Sequence, residues 1–131
     1  TREAKKGTES PMESFKSYRR ILTDKHDNIT VIVNNPCLEF WFLLHFERTS
    51  KLYNSCEQAI VQLKKHLKDY EKTRNYYTRQ NNDIYLKLKP YLNDALENSI
   101  ALGSFDENNP NKAMCEMEYF FFCEKLKEHF E

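Results

Sequence analysis

The sequence predicts a mainly helical fragment of an α/β domain, with one buried strand and about five helices. Three observations carry that reading. The 131 residues include only two glycines, Gly7 and Gly103, which leaves little material for tight hairpins or for a Gly-rich phosphate cradle. One run alone, Ile29-Thr30-Val31-Ile32-Val33, is β-branched without polar alternation, as in a strand covered on both faces. The remaining apolar residues recur at helical spacing behind recognisable caps.

The elements follow in order. Residues Thr1 to Ser10 hold no large apolar side chain, so residues 1–11 read as a flexible lead-in, with a single domain over 12–131. Ser10 as N-cap, Pro11 as first helical residue and Glu13 open a helix whose stripe is Phe15, Tyr18, Arg19 and Leu22, ending near Asp24 ahead of Asp27-Asn28. The strand over 29–33 stops at Asn34-Asn35-Pro36, where Asn35 is the expected N-cap and Pro36 the first residue of the next helix. Ser55 caps an amphipathic helix to Tyr70, with Cys56, Ala59, Ile60, Leu63 and Leu67 on one stripe. Residues 83–102 are helical, kinked or split in two at Pro90 and ended by Gly103. Asn109-Pro110 opens a last helix with its stripe at Cys115, Tyr119, Phe122 and Leu126. A lone buried strand leaves its own backbone groups unpaired, so its neighbours are expected either before Thr1 or from another subunit.

Composition narrows the classes of function. Twenty basic and twenty acidic residues give no net charge, so contact with nucleic acid must come from a local patch. The four cysteines lack the close spacing of a zinc knuckle or redox motif and read as reduced thiols of a cytoplasmic protein. The longest apolar run, Phe40 to Leu44, is far too short to cross a membrane.

The segment from Asn35 to Phe46 is apolar almost all the way round, which marks a helix enclosed by protein. It carries two ionisable groups, Glu39 and His45, about 240° apart on a helical wheel, so each needs its own partner. Two readings stay open. Glu39 braces an amide or a basic side chain while His45 bonds a carbonyl, or Glu39 borders a crevice at the sheet's edge and the two residues are catalytic. Residues 64–79 hold six Lys or Arg against two acids, with Tyr70, Tyr76 and Tyr77 among them. Cations for phosphates and rings for bases suit nucleic acid, and Lys72 and Arg74 are the candidate binding residues; a solvated helix face is the other reading.

Asn35-Pro36-x-x-Glu39-x-Trp41-x-x-Leu44-His45-Phe46 resembles the signature of the RloB-like family, with Tyr70-x-Lys72 and Asn109-Pro110 as weaker matches. The resemblance implies a Toprim-type fold, a place in phage-defence and restriction loci, and metal-dependent phosphodiester chemistry. It implies magnesium held by an early glutamate and an Asp-x-Asp pair, motifs expected upstream of the strand and not matched by Asp24 and Asp27. Asn35, Pro36 and Trp41 then serve as structural motif residues. The resulting expectation is the C-terminal portion of a nuclease or related phosphoryl-transfer enzyme, with metal ligands outside this chain. The alternative is a non-catalytic helical module docking onto a defence partner. Nucleic acid, a defence-system protein and a second copy of the chain are the partners this reading allows.

Overall fold

A computed structural model of the chain describes residues 10–122. These residues are mostly helical, with one small antiparallel sheet. Helix α1 spans Pro11–Lys25, and the Ser10 hydroxyl accepts a hydrogen bond from the Glu13 amide at 3.2 Å, as the cap predicts. Its apolar stripe is only half covered. Phe15 meets Phe105 edge-on at 5.4 Å, while Tyr18 stays 68% exposed.

The expected strand over 29–33 is corrected. Ile29 and Thr30 are exposed, and the ladder begins only after the expected run, as β1, Asn34–Asn35. It pairs antiparallel with β2, Met114–Cys115, so its partner comes from this chain and not from a parallel sheet. Glu116 completes the edge. Its carboxylate accepts from the Val33 amide at 3.0 Å, and its own amide donates to the Val33 carbonyl at 2.9 Å. One residue thereby satisfies both polar groups of Val33, which is why a lone extended segment is tolerated. The expected terminal helix from Asn109 is corrected by the same pairing. Residues 113–117 are non-helical, and helix α7 begins later, at Glu118–Phe122. Leu126, Cys123 and the lead-in over 1–9 lie outside the described residues.

Asn35 is not the cap of the next helix. Its side-chain amide donates instead to the carbonyls of Pro110 and Lys112, and the Asn35-Pro36 peptide is cis. Helix α2 therefore starts at Leu38 and runs to Leu44, behind Cys37. Seven residues cannot hold a helix by propensity alone, so burial does it: Phe40, Leu43 and Leu44 are fully enclosed. Asn98 donates to the carbonyls of Leu44 and Glu47 and so closes the helix's C-terminal end.

Helix α2 packs on α3, Cys56–Leu63, and on α6, Leu92–Leu102. Ser55 caps α3 through the Gln58 amide, as expected, but the helix is shorter than the stripe suggested. After Leu63 the chain runs through turns, and these bring the Tyr70 ring beneath α2, 6.0 Å from Phe42. Exposed Lys64, Lys65 and Lys68 repel one another at helical spacing, which favours the break. Helix α4, Arg74–Thr78, is capped by Thr73, and α5, Ile84–Leu88, by Asp83. Pro90 divides α5 from α6 through a 3-10 turn, and Gly103 ends α6 at a φ of 77°, as the sequence predicts.

Candidate functional site

The first turn of α2 carries Glu39 into the core, where it is 2% exposed. Three groups meet its carboxylate. The Tyr70 hydroxyl donates to Oε1 at 2.9 Å, Lys72 Nζ stands 3.3 Å from Oε1 and 3.5 Å from Oε2, and Cys56 Sγ lies 3.2 Å from Oε2. A buried carboxylate needs such company, because burial without a cation or donors would neutralise it. The Lys72 side chain remains 59% exposed. Its ammonium is thus anchored from below by Glu39 and open to solvent above.

Tyr70 extends the network outward. Its hydroxyl is 2.7 Å from that of Tyr77, and because its single proton serves Glu39, Tyr77 must be the donor. Burial, together with the hydrogen bonds to Tyr77 and Glu39, pushes the pKa of Tyr70 far above its ordinary value. Burial raises Tyr77 as well. Both phenols therefore stay protonated, and the order runs from half-exposed Tyr77 through Tyr70 to the carboxylate.

The expected residues fall in different places. Glu39 and Lys72 come together. Arg74 sits at the first position of α4, exposed and two residues beyond Lys72, without a described contact to Glu39. His45 is apart from them, as the helical wheel requires. It is 3% exposed, its Nδ1 lies 2.9 Å from the Trp41 carbonyl, and its ring packs edge-on to the indole at 4.7 Å. Burial lowers the His45 pKa, against hydrogen bonds to the backbone of Trp41 and Phe42. Trp41 in turn faces Phe121, 5.6 Å away.

The basic segment is part surface and part core. Lys64, Lys65, Lys68, Lys72, Arg74 and Arg79 are exposed. Tyr70 and Tyr76 are 1% and 2% exposed, so of the three tyrosines only Tyr77 can offer a ring to a base. Glu116 and Glu118 are buried hydrogen-bond acceptors.

The reduced-thiol expectation is corrected at two positions. Cys37 and Cys56 are joined as a disulfide, their Cα atoms 5.7 Å apart, across the starts of α2 and α3. They lie 19 positions apart in sequence, and no spacing rule points to the pair. Cys115 is a buried free thiol whose pKa burial pushes up to about 12.

Among the described residues, Cys37, Glu39 and Cys56 are the one group of three potential metal ligands, their donor atoms within 4.8 Å of one another. Two sulfurs and one carboxylate already facing an ammonium do not fit magnesium, which takes oxygen ligands.

The RloB-like protein family matches residues 6–121. The chain belongs to that family. The match takes in Glu39, Tyr70, Lys72 and the β1–β2 ladder alike. No curated protein and no solved structure matches the chain.

Proposed function

We propose that this chain is the phosphate-holding portion of an RloB-like phage-defence protein, whose intact form is a metal-dependent nuclease or phosphoryl-transfer enzyme of Toprim type acting on nucleic acid in the cytoplasm. The observation that supports it is the Glu39–Lys72 pair: a buried carboxylate holds the ammonium of a lysine whose side chain is 59% exposed. Such an ammonium is oriented before a phosphate arrives. Arg74 adds a second cation two residues on, and Tyr77 a half-exposed ring beside both. In this reading Glu39 positions Lys72, and Tyr70 holds Glu39. His45 orients Trp41 and the α2 helix, while Asn35 and Pro36 fix the approach to it. In this reading magnesium is held by acids other than Glu39, because the Cys37–Glu39–Cys56 group does not suit that ion.

The test is oligonucleotide binding across a salt series, with single- and double-stranded DNA and RNA. The full chain should bind with log affinity falling linearly in log salt. Replacing Lys72→Ala together with Arg74→Ala should flatten that slope by about one to two. An unchanged slope would remove the patch from function.

A second reading has one observation in its favour: Glu39 is 2% exposed and its carboxylate already meets Tyr70 and Lys72, as a purely structural acid would. In that reading the domain is a non-catalytic module that docks onto a defence-system protein or a second copy. Glu39→Gln in the intact protein separates the two. Loss of metal-dependent cleavage with folding retained supports the enzyme; unaltered cleavage makes Glu39 purely structural, and absence of any cleavage by the wild-type protein supports the module.

A further inference from the structure

We infer that Cys37 and Cys56 form a reversible oxidation site that sets how firmly Lys72 is held on Glu39. Cys37 lies two residues before Glu39, and Cys56 opens the helix packed against α2. Both are partly accessible, so a small oxidant can reach them. Cys56 Sγ stands 3.2 Å from Glu39 Oε2 and 3.6 Å from Lys72 Nζ. It is the one atom of the pair that touches both members of the ion pair.

The consequence follows from donor count. As a thiol, Cys56 can give its proton to Oε2, and Glu39 then has donors on both oxygens without Lys72. As half of a disulfide, Cys56 has no proton to give. Lys72 is then the described donor left to Oε2 at 3.5 Å. Oxidation therefore holds the lysine down, and reduction releases it toward solvent and toward anions.

The chemistry balances with a low-molecular-weight disulfide, such as glutathione disulfide, as oxidant. One cysteine thiolate attacks a sulfur of that disulfide and expels one thiolate. The second cysteine then attacks the mixed disulfide at the protein sulfur, expelling the other. Two protein thiols are oxidised, two small thiols are formed, and the two protons pass to the departing thiolates.

The experiment labels lysines of the full chain with acetic anhydride and reads each site by mass spectrometry, after dithiothreitol or after glutathione disulfide. The Lys72 rate, relative to exposed Lys64, should be about two- to tenfold higher in the reduced protein, the worth of one hydrogen bond. Peptide masses should show Cys37 and Cys56 joined only after oxidation. Cys37→Ala, which keeps the Cys56 thiol, should label at the reduced rate after dithiothreitol, and after glutathione disulfide its Cys56 should carry one glutathione in place of the internal bond. Equal Lys72 rates in wild-type protein whose disulfide has been verified would overturn the inference. So would a bond that resists dithiothreitol, or a reduced protein that retains zinc on the two cysteines. The inference rests in part on the phosphate-holding reading, but lysine labelling uses no nucleic acid. A failure here is thus distinct from a failure of the salt series.

Discussion

Helices α1 and α2 both carry apolar side chains that need cover, yet the chain treats them in opposite ways. Six of the seven residues of α2 are buried, and its neighbours α3 and α6 are supplied from the same chain. None of the fifteen residues of α1 is buried. Its described hold on the rest includes the Phe15–Phe105 contact and a fan of ion pairs from Arg19 and Arg20 to Glu107. The difference teaches that an apolar stripe states a demand for cover, while only the remainder of the fold decides whether the demand is met. Around α2 the demand is met, and the carboxylate carried with it becomes an organised centre. Around α1, Tyr18, Ile21 and Leu22 remain 68%, 46% and 39% exposed.

That contrast can be broken by substitution. Phe40→Ala should give the largest effect, a loss of about 3–5 kcal/mol in urea unfolding, because the ring is fully enclosed. Glu39→Gln should cost about 1.5–3 kcal/mol by the same measurement, since it weakens hydrogen bonds made to a charged acceptor.

His45 supplies a smaller, pH-dependent effect. Its pKa is lowered in the folded protein, whereas an unfolded histidine titrates near ~6.5. Below ~6.5 the unfolded state binds more protons, so stability should fall as the pH drops, until the folded ring titrates too. His45→Gln should flatten that acid limb in unfolding curves taken at several pH values.

The α1 side should respond least. Leu22→Ala should shift stability by no more than about 0.5 kcal/mol, as at other exposed positions. A large loss there would mean that α1 is covered in solution and would erase the contrast.

What was legible in the sequence was local. Ser10, Ser55 and Asp83 cap the helices they precede, and Pro90 and Gly103 interrupt or end them, because each signal acts within a few residues. The β1–β2 ladder was not legible. Met114 and Cys115 fit a helical stripe as well as a strand, and only their pairing with residues 34 and 35 decides between them. Asn35 misled for a related reason, since its side chain serves the carbonyls of Pro110 and Lys112 from far along the chain. The site was half legible. Glu39 stood out as an ionisable group in an apolar helix, and Lys72 in a basic run. Their meeting depends on the turns after Leu63, and so does the descent of Tyr70 into the core. The Cys37–Cys56 pair had no signal at all, since its sulfurs are brought together only by the docking of α3 on α2.

The stitch between Glu116 and Val33 spans 83 positions of sequence and serves a donor and an acceptor of the same residue. Any opening that detaches position 116 orphans both at once and frees the adjoining ladder, so the early and late parts of the chain must come undone in concert. Protection of the Val33 amide against hydrogen exchange is accordingly a readout, at one end of the fold, of whether the other end is in place.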